Sequence, residues 1–229
     1  MTTGAEHWER WAESWATWAR RPGHDSYWRE TRKSFFDFVP KAGRKTLDLG
    51  CGEGRVSRDL NAAGHDVVAI DISETLIRLA READPDSEYL VADAAALPFD
   101  DDSFDLVVAF NSLMDFDEMP GAVGEASRVL ERGGRLCACI THPMRDAGHF
   151  VSGDPDASFR IDGQYFGQRR FEMTVRRDGH EMHFHGWTYP LEDYARALEN
   201  AGFLIESLRE PPDPGRRIPN FLFMRAVLS

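Results

Sequence analysis

A chain of 229 residues with 42% apolar side chains can bury a sizeable core, and one domain is the simplest reading. Its 27 Lys and Arg against 39 Asp and Glu leave a formal charge of −12, which repels phosphate backbones and anionic lipid, so nucleic acid and membranes are poor partners. The odd set Cys51, Cys137 and Cys139 argues against a disulfide framework; with no signal-like N-terminus and no apolar run of membrane-spanning length, a reduced, cytoplasmic protein is expected.

The first element is aromatic. Residues 1–28 hold five of the six tryptophans, and Trp8, Trp11, Trp15 and Trp18 fall at i, i+3, i+7 and i+10, one stripe of a helix. Residues 45–50 read as a short buried strand, followed by a glycine-rich turn and a helix over 55–63 that ends at Gly64. The unit recurs as a strand over 65–71 and a helix over 73–83, with Ser73 placed as N-cap. Strands over 88–93 and 104–111, a helix over 120–130 and a strand over 134–142 continue the alternation, which implies a doubly wound, Rossmann-like α/β sheet. Beyond His142 the pattern turns polar and aromatic, and Asp178-Gly179 between two alternating runs marks a β-hairpin. A helix over 190–201, a strand over 203–210, a proline-rich connection over 211–219 and a strand over 221–228 complete the chain.

The turn after the first strand carries Gly50, Gly52 and Gly54 as G-x-G-x-G, which satisfies neither the dinucleotide fingerprint nor the P-loop. Glu53 puts a negative charge in that turn, where pyrophosphate wants only donors, so a cationic ligand without phosphate suits it better. Asp71 ends the second strand 21 residues after Gly50, near the spacing at which a carboxylate accepts both hydroxyls of a ribose. Asp93 ends the third strand, where a carboxylate can accept the exocyclic amine of adenine. At successive strand ends of one parallel sheet, the pair describes an adenosine site.

With LDLGCGEG (47–54), VVAIDIS (67–73), VADAAALPFDDDSFDLVVAFNSL (91–113) and EASRVLERGGRLCACI (125–140), the sequence resembles the class I S-adenosylmethionine-dependent methyltransferases, particularly the small-molecule group that includes the ubiquinone/menaquinone-type enzymes. The resemblance implies a seven-stranded sheet with its last strand antiparallel and S-adenosyl-L-methionine as cofactor. It puts the methionine part over the glycine loop, Asp71 on the ribose, Asp93 and Ala94 at the adenine, and Asn111 beside the methionine amino group. Asp48, Gly50, Gly52 and Ile72 complete the cofactor-binding set, and Tyr27 and Arg20 are candidates for the methionine carboxylate. Residues 1–34 are then a helical lid, 35–141 the cofactor-binding core, 142–189 an acceptor-side insertion with the hairpin, and 190–229 the C-terminal helix and strands.

Methyl transfer asks for alignment and a dry cavity, and where a proton must leave the acceptor a histidine suits neutral pH. His142, His183 and His185 are the catalytic candidates, His183 and His185 lying two apart on one strand face. Asp115 and Asp117 follow the fourth strand; they can face the acceptor, though capping of the next helix is the commoner role for Asp117. No Cys-x-x-Cys or His-Glu-x-x-His pattern supports a metal. The expected activity is methylation of O, N or C on a small metabolite. A non-catalytic protein that binds the same cofactor is the alternative, and a nucleic-acid methyltransferase is disfavoured by the charge.

Overall fold

The computed structural model describes residues 2–154, 156–213 and 216–229; residues 214 and 215, in the proline-rich connection read over 211–219, lie outside them. Helix α1 (Gly4–Ala19) starts from a capping box in which Thr3 and Glu6 satisfy each other's backbone N–H groups. A wide helical turn (Tyr27–Thr31) and the short α2 (Arg32–Phe36) lead into the sheet. There follow β1 (Thr46–Leu49), α3 (Arg55–Ala62), β2 (Val67–Asp71), α4 (Glu74–Ala83), β3 (Glu88–Val91), β4 (Phe104–Phe110), a single turn Leu113–Asp115, α5 (Met119–Val129) and β5 (Leu130–Thr141). Ser73 caps α4 by accepting from the Leu76 N–H, as the sequence predicts.

The seven strands are ordered β10-β11-β5-β4-β1-β2-β3, where β10 is Phe203–Arg209 and β11 is Phe221–Leu228. β11 runs antiparallel to both of its neighbours, and the β5-β4-β1-β2-β3 ladder is parallel throughout. The period of two in β4 separates two cores. Val107 and Ala109 join Leu47, Leu49 and Ile140 on one face, while Leu106, Val108 and Phe110 join Val67, Cys137 and Cys139 on the other. All three cysteines are buried and unbridged.

Two differences from the sequence reading have local causes. β5 begins at Leu130 rather than at 134, because the chain passes through an irregular step at Gly133 (φ +80°) that leaves the strand polar there. A small hairpin, β6 (Gly148–Phe150) with β7 (Phe159–Ile161), follows the one-turn α6 (Pro143–Asp146); three-residue strands leave no periodic signal. The hairpin expected at Asp178-Gly179 forms from β8 (Arg169–Arg177) and β9 (His180–Thr188), with φ +49° and +75° at the turn, the pair of left-handed residues a two-residue hairpin loop requires. Helix α7 (Leu191–Asn200) packs on α5. Among the described residues no helix is long and apolar enough to cross a membrane.

Helix α1 lies across the carboxyl ends of the strands, tied at both sides. The Gly4 N–H donates to Asp117 Oδ2 at 2.8 Å, and Glu9 accepts from the Ser73 and Thr75 hydroxyls at 2.5 and 2.6 Å. Asp117 therefore caps α1 from 113 residues away, and α5, which it was expected to cap, has no side-chain cap. The tryptophan stripe divides: Trp8, Trp15 and Trp18 turn toward the space beneath the helix, while Trp11 stacks on His183 at 4.0 Å.

Candidate functional site

A cavity of about 650 Å³ opens at the carboxyl ends of β1, β2 and β4, with α1 and the β8-β9 hairpin as its roof. Its floor is the glycine loop. Gly50, Gly52 and Gly54 all have positive φ (+77°, +59° and +83°), and a Cβ at Gly50 would stand 2.6 Å from the Ser112 Cβ. Ser112 is itself fixed by donating to the Leu49 carbonyl at 2.6 Å, so the turn following β4 backs the turn following β1. Above Gly52 the Trp15 Nε1 lies 3.0 Å from where a Cβ would be.

Asp71 sits at the rim of this floor. Its carboxylate accepts from the Gly52 N–H at 2.9 Å and the Ser73 N–H at 3.0 Å, which uses two of roughly four lone-pair sites. Burial pushes its carboxyl above the ordinary value, against those two hydrogen bonds. Asp93 is exposed two residues beyond the end of β3, which stops at Val91 rather than at 93, and accepts from the Ala95 N–H at 2.9 Å. Asn111 takes a left-handed φ of +51° and donates its N–H to the Cys139 carbonyl at 2.8 Å.

Asp48, only 1% exposed at the centre of β1, accepts from the Ser57 hydroxyl at 2.6 Å. Burial pushes its carboxyl up to about 7, opposed by Ser57 and reinforced by the nearby Asp71. Because the folded-state value is raised, the stability it contributes is fully present below the unfolded value of 3.8 and is lost as pH rises through about 7. Asp48→Asn keeps an acceptor for Ser57 and removes the ionisation. Urea unfolding should find the variant more stable than the wild type by about 1–3 kcal/mol at pH 8 and nearly equal at pH 4; a wild type that gains stability over that range relative to the variant would refute the assignment.

Of the residues expected at the cofactor, Asp48, Gly50, Gly52, Asp71, Ile72, Asp93, Ala94 and Asn111 all line the cavity. Tyr27 and Arg20 do not. Tyr27 is 1% exposed, packed edge-on against Phe110 at 5.3 Å, with its hydroxyl donated to Asp59. Arg20 is drawn to Glu53 at 2.9 Å and to the Leu79 carbonyl at 3.0 Å. Glu53 also pairs with Arg58 at 2.9 Å, so its charge is already compensated, and the loop does not owe any preference for cations to it.

The histidines separate as well. His142 lies off the cavity, capping α6 through the Met144 N–H and pairing with Glu210 at 3.0 Å. His183 and His185 share a strand face as expected, but that face meets α1: His183 is sandwiched by Trp11 and bonded to Glu181 at 2.7 Å. Only His185 reaches the cavity. It is 3% exposed, stacks on His7 at 4.6 Å, has Nδ1 3.6 Å from Glu172, and its buried Nε2 has no partner among the described residues. Burial holds its imidazole below the ordinary 6.5, and so neutral near pH 7.

Several lining residues escape sequence reasoning. Arg55 lines the cavity with its guanidinium over the Trp15 and Tyr27 rings and its charge on Asp25. Phe171, Met173 and Phe184 come from the inward face of the hairpin, a direction that an alternating pattern cannot supply. Asp115, on the single turn after β4, lies against Gly186 of β9, where a Cβ would stand 2.7 Å from its Oδ1. Among the described residues no three His, Cys, Asp or Glu side chains gather as a metal set.

A sheet in this order, with its one reversed strand between β10 and β5 and a cavity over a glycine loop after β1, defines the class I methyltransferase fold. Residues 47–138 match the family described as a methyltransferase domain. Over 120 residues the chain is 40% identical to a demethylmenaquinone methyltransferase of Clavibacter sepedonicus, an alignment that takes in 51% of this chain and 48% of that protein. The chain spans about half the length of the curated relatives it matches. In fold it is similar to an S-adenosylmethionine-dependent methyltransferase of Mesorhizobium loti, with a TM-score of 0.69 and 24% identity, covering 90% of this chain and 100% of that one. It is also similar to the cyclase SpnF, with a TM-score of 0.68 and 19% identity over 99% and 97% of the two chains. The resemblance read from the sequence therefore stands: residues 47–138 match a methyltransferase domain, within a sheet that has the class I methyltransferase fold.

Proposed function

We propose that the protein transfers the methyl group of S-adenosyl-L-methionine to O, N or C of a small metabolite or natural product. The observation that carries this reading is that the eight lining residues named above share one cavity, which continues beyond them under α1 into an aromatic chamber. The fit favours that cofactor over a dinucleotide: the loop presents glycine backbone, Asp71 keeps lone pairs for ribose hydroxyls, and neither phosphate motif is present. In this reading Asp93 and Ala94 take the adenine, the Asn111 carbonyl takes the methionine ammonium, α1 is the lid, and the hairpin of the 142–189 insertion is the acceptor's wall.

Bound there, S-adenosylmethionine supplies an electrophilic methyl group on a sulfonium centre. The chain's own contribution is to exclude water with Trp8, Trp15 and Phe184, to align the acceptor, and to bring His185 to the cavity wall where a proton must leave. The charge of −12 disfavours a nucleic-acid acceptor.

Asp71→Ala is expected to weaken S-adenosylhomocysteine binding by about 1.5–3 kcal/mol, the scale of hydrogen bonds to a charged group. Calorimetry on the folded variant decides; unchanged affinity removes Asp71 from the ribose, and NADH or ATP binding as tightly as S-adenosylhomocysteine sinks the cofactor. A second reading is a protein that binds the cofactor without methylating, since a fold does not by itself fix an activity. Turnover against a metabolite panel separates the two.

A further inference from the structure

Five of the chain's eight histidines, His7, His24, His180, His183 and His185, lie along one seam, where α1 and the turn after it meet the β8-β9 hairpin. At its centre the rings of His7 and His185 stack nearly parallel at 4.6 Å, and Trp11 stacks on His183 at 4.0 Å. His7 Nε2 donates to the His183 carbonyl at 2.9 Å, so a side chain that titrates joins α1 to the backbone of β9. Phe184 lies between the two strand histidines and faces the other way, into the cavity, where it meets Trp15 and Trp18 at 6.1 Å each. The seam and the roof of the cavity are therefore two sides of one strand.

The centre of the seam is built for uncharged rings. His185 turns Nδ1 toward Glu172 and buries an Nε2 that has no partner among the described residues. A second proton on that ring puts an unmatched N–H away from water, and a charge whose ring centroid is 4.6 Å from another imidazole. His24 repeats the pattern at the far end, with Asp178 3.1 Å from Nε2 and a buried Nδ1 without a partner among the described residues. The charges facing the central pair come from each neighbouring element: Glu172 and Arg170 on β8, Asp117 before α5, and His183 on β9. His183 is itself bonded to Glu181, which is shared with Arg176. Glu172 draws protons toward the pair, but it is mostly exposed and screened by water. Burial is the larger effect and holds both His7 and His185 below the ordinary 6.5. The other ties of α1, Glu9 on Ser73 and Thr75, Glu13 on Arg78 and Gly4 on Asp117, use carboxylates rather than imidazoles.

We propose that this seam is a proton-operated clasp: neutral His7 and His185 hold α1 against the hairpin, and protonation of the pair in mild acid releases it and opens the cavity. The clasp governs access to the site of the methyltransferase reading and does not depend on what is held there. Once released, both rings return to about 6.5, above their values in the closed seam, so the closed form binds fewer protons than the open one. Closure is therefore favoured above about pH 6.5 and weakens as pH falls below it.

Hydrogen exchange of the α1 backbone amides tests this on the full chain without ligand, because a helix of 16 residues released from its packing is only marginally stable and exchanges. After correction for the intrinsic pH dependence of exchange, protection of α1 is expected to fall about tenfold between about pH 7.5 and 5.5, while that of α4 stays constant. In the double variant His7→Gln/His185→Gln, which cannot titrate there, the fall should vanish. If that variant is already unprotected at the higher pH, His7→Gln alone, which keeps a donor for the His183 carbonyl, should show a smaller fall than the wild type. His142→Gln, off the seam, should fall as the wild type does. Equal protection of α1 at the two pH values overturns the proposal, and so does a full fall in either seam variant. Loss of protection in α4 by the same factor also overturns it, because acid would then be loosening the whole domain. Release of S-adenosylhomocysteine, followed by stopped-flow tryptophan fluorescence, should quicken about tenfold over the same range. A wild type that binds none at either pH ends the methyltransferase reading, and the exchange result still decides the clasp.

Discussion

Deletion of α1, through Ala19, is expected to leave a folded sheet domain that has lost about 10²-fold or more of its methyl transfer. The sheet should survive because neither hydrophobic core contains a residue of α1; their first member is Tyr27. A longer cut through residue 34, where the sequence reading ends the lid, takes Tyr27 out of the second core and strips Asp59 and Arg55 of a neighbour. The catalytic loss follows from what the helix covers. Without it Gly52 loses Trp15, the chamber loses Trp8 and Trp18, and the cavity opens to water on the α1 side of its roof. S-adenosylhomocysteine affinity should fall less than the rate does, by about tenfold. Circular dichroism, calorimetry and turnover on the acceptor found by a metabolite panel separate these effects. Full activity in the truncated protein would mean that α1 is not a lid, and failure to fold would mean that it is a structural part of the domain.

The half of the site built on the sheet was legible because its signals are local. A buried parallel strand is a continuous apolar run, a left-handed turn asks for glycine, and a strand-end carboxylate follows from spacing; Leu47–Gly54, Asp71 and Asp93 carry all three. The half built by packing was not. Tyr27 and Arg20 are in the right segment, but which way each side chain turns was settled by Asp59 and Glu53, partners 32 and 33 residues away. The i, i+2 rule placed His183 and His185 on one face correctly, yet said nothing of the helix that covers it, and Trp11 claims His183. Asp117 has the composition of a local cap and caps a distant helix instead. Asp115 meets Gly186 only because the hairpin folds back onto the turn after β4, a property of the tertiary fold that no spacing encodes.

Of the three histidines, replacement of His185 alone is expected to slow methyl transfer, by about 10²–10⁴-fold in the alanine variant, the usual worth of a positioned base. Its Nδ1 faces Glu172 at 3.6 Å, which favours the proton on that nitrogen and leaves the lone pair on Nε2, the atom without a partner. Burial and the charge of Arg170 hold the imidazole below 6.5, while Glu172 and Asp117 pull the other way, so the base form prevails at neutral pH. Wild-type kcat should therefore decline as pH falls below 6.5, and the residual rate of His185→Ala should lack that limb. S-adenosylhomocysteine affinity should be unchanged, since no residue assigned to the cofactor touches the ring. His142→Ala and His183→Ala serve as controls: the first removes a cap on α6 and the second a stack on Trp11, and neither residue lines the cavity. A His185→Ala variant with near-normal kcat and an intact acidic limb would show that the acceptor loses its proton without help from this residue, whereas a comparable loss in His142→Ala would move the base to the far side of α6.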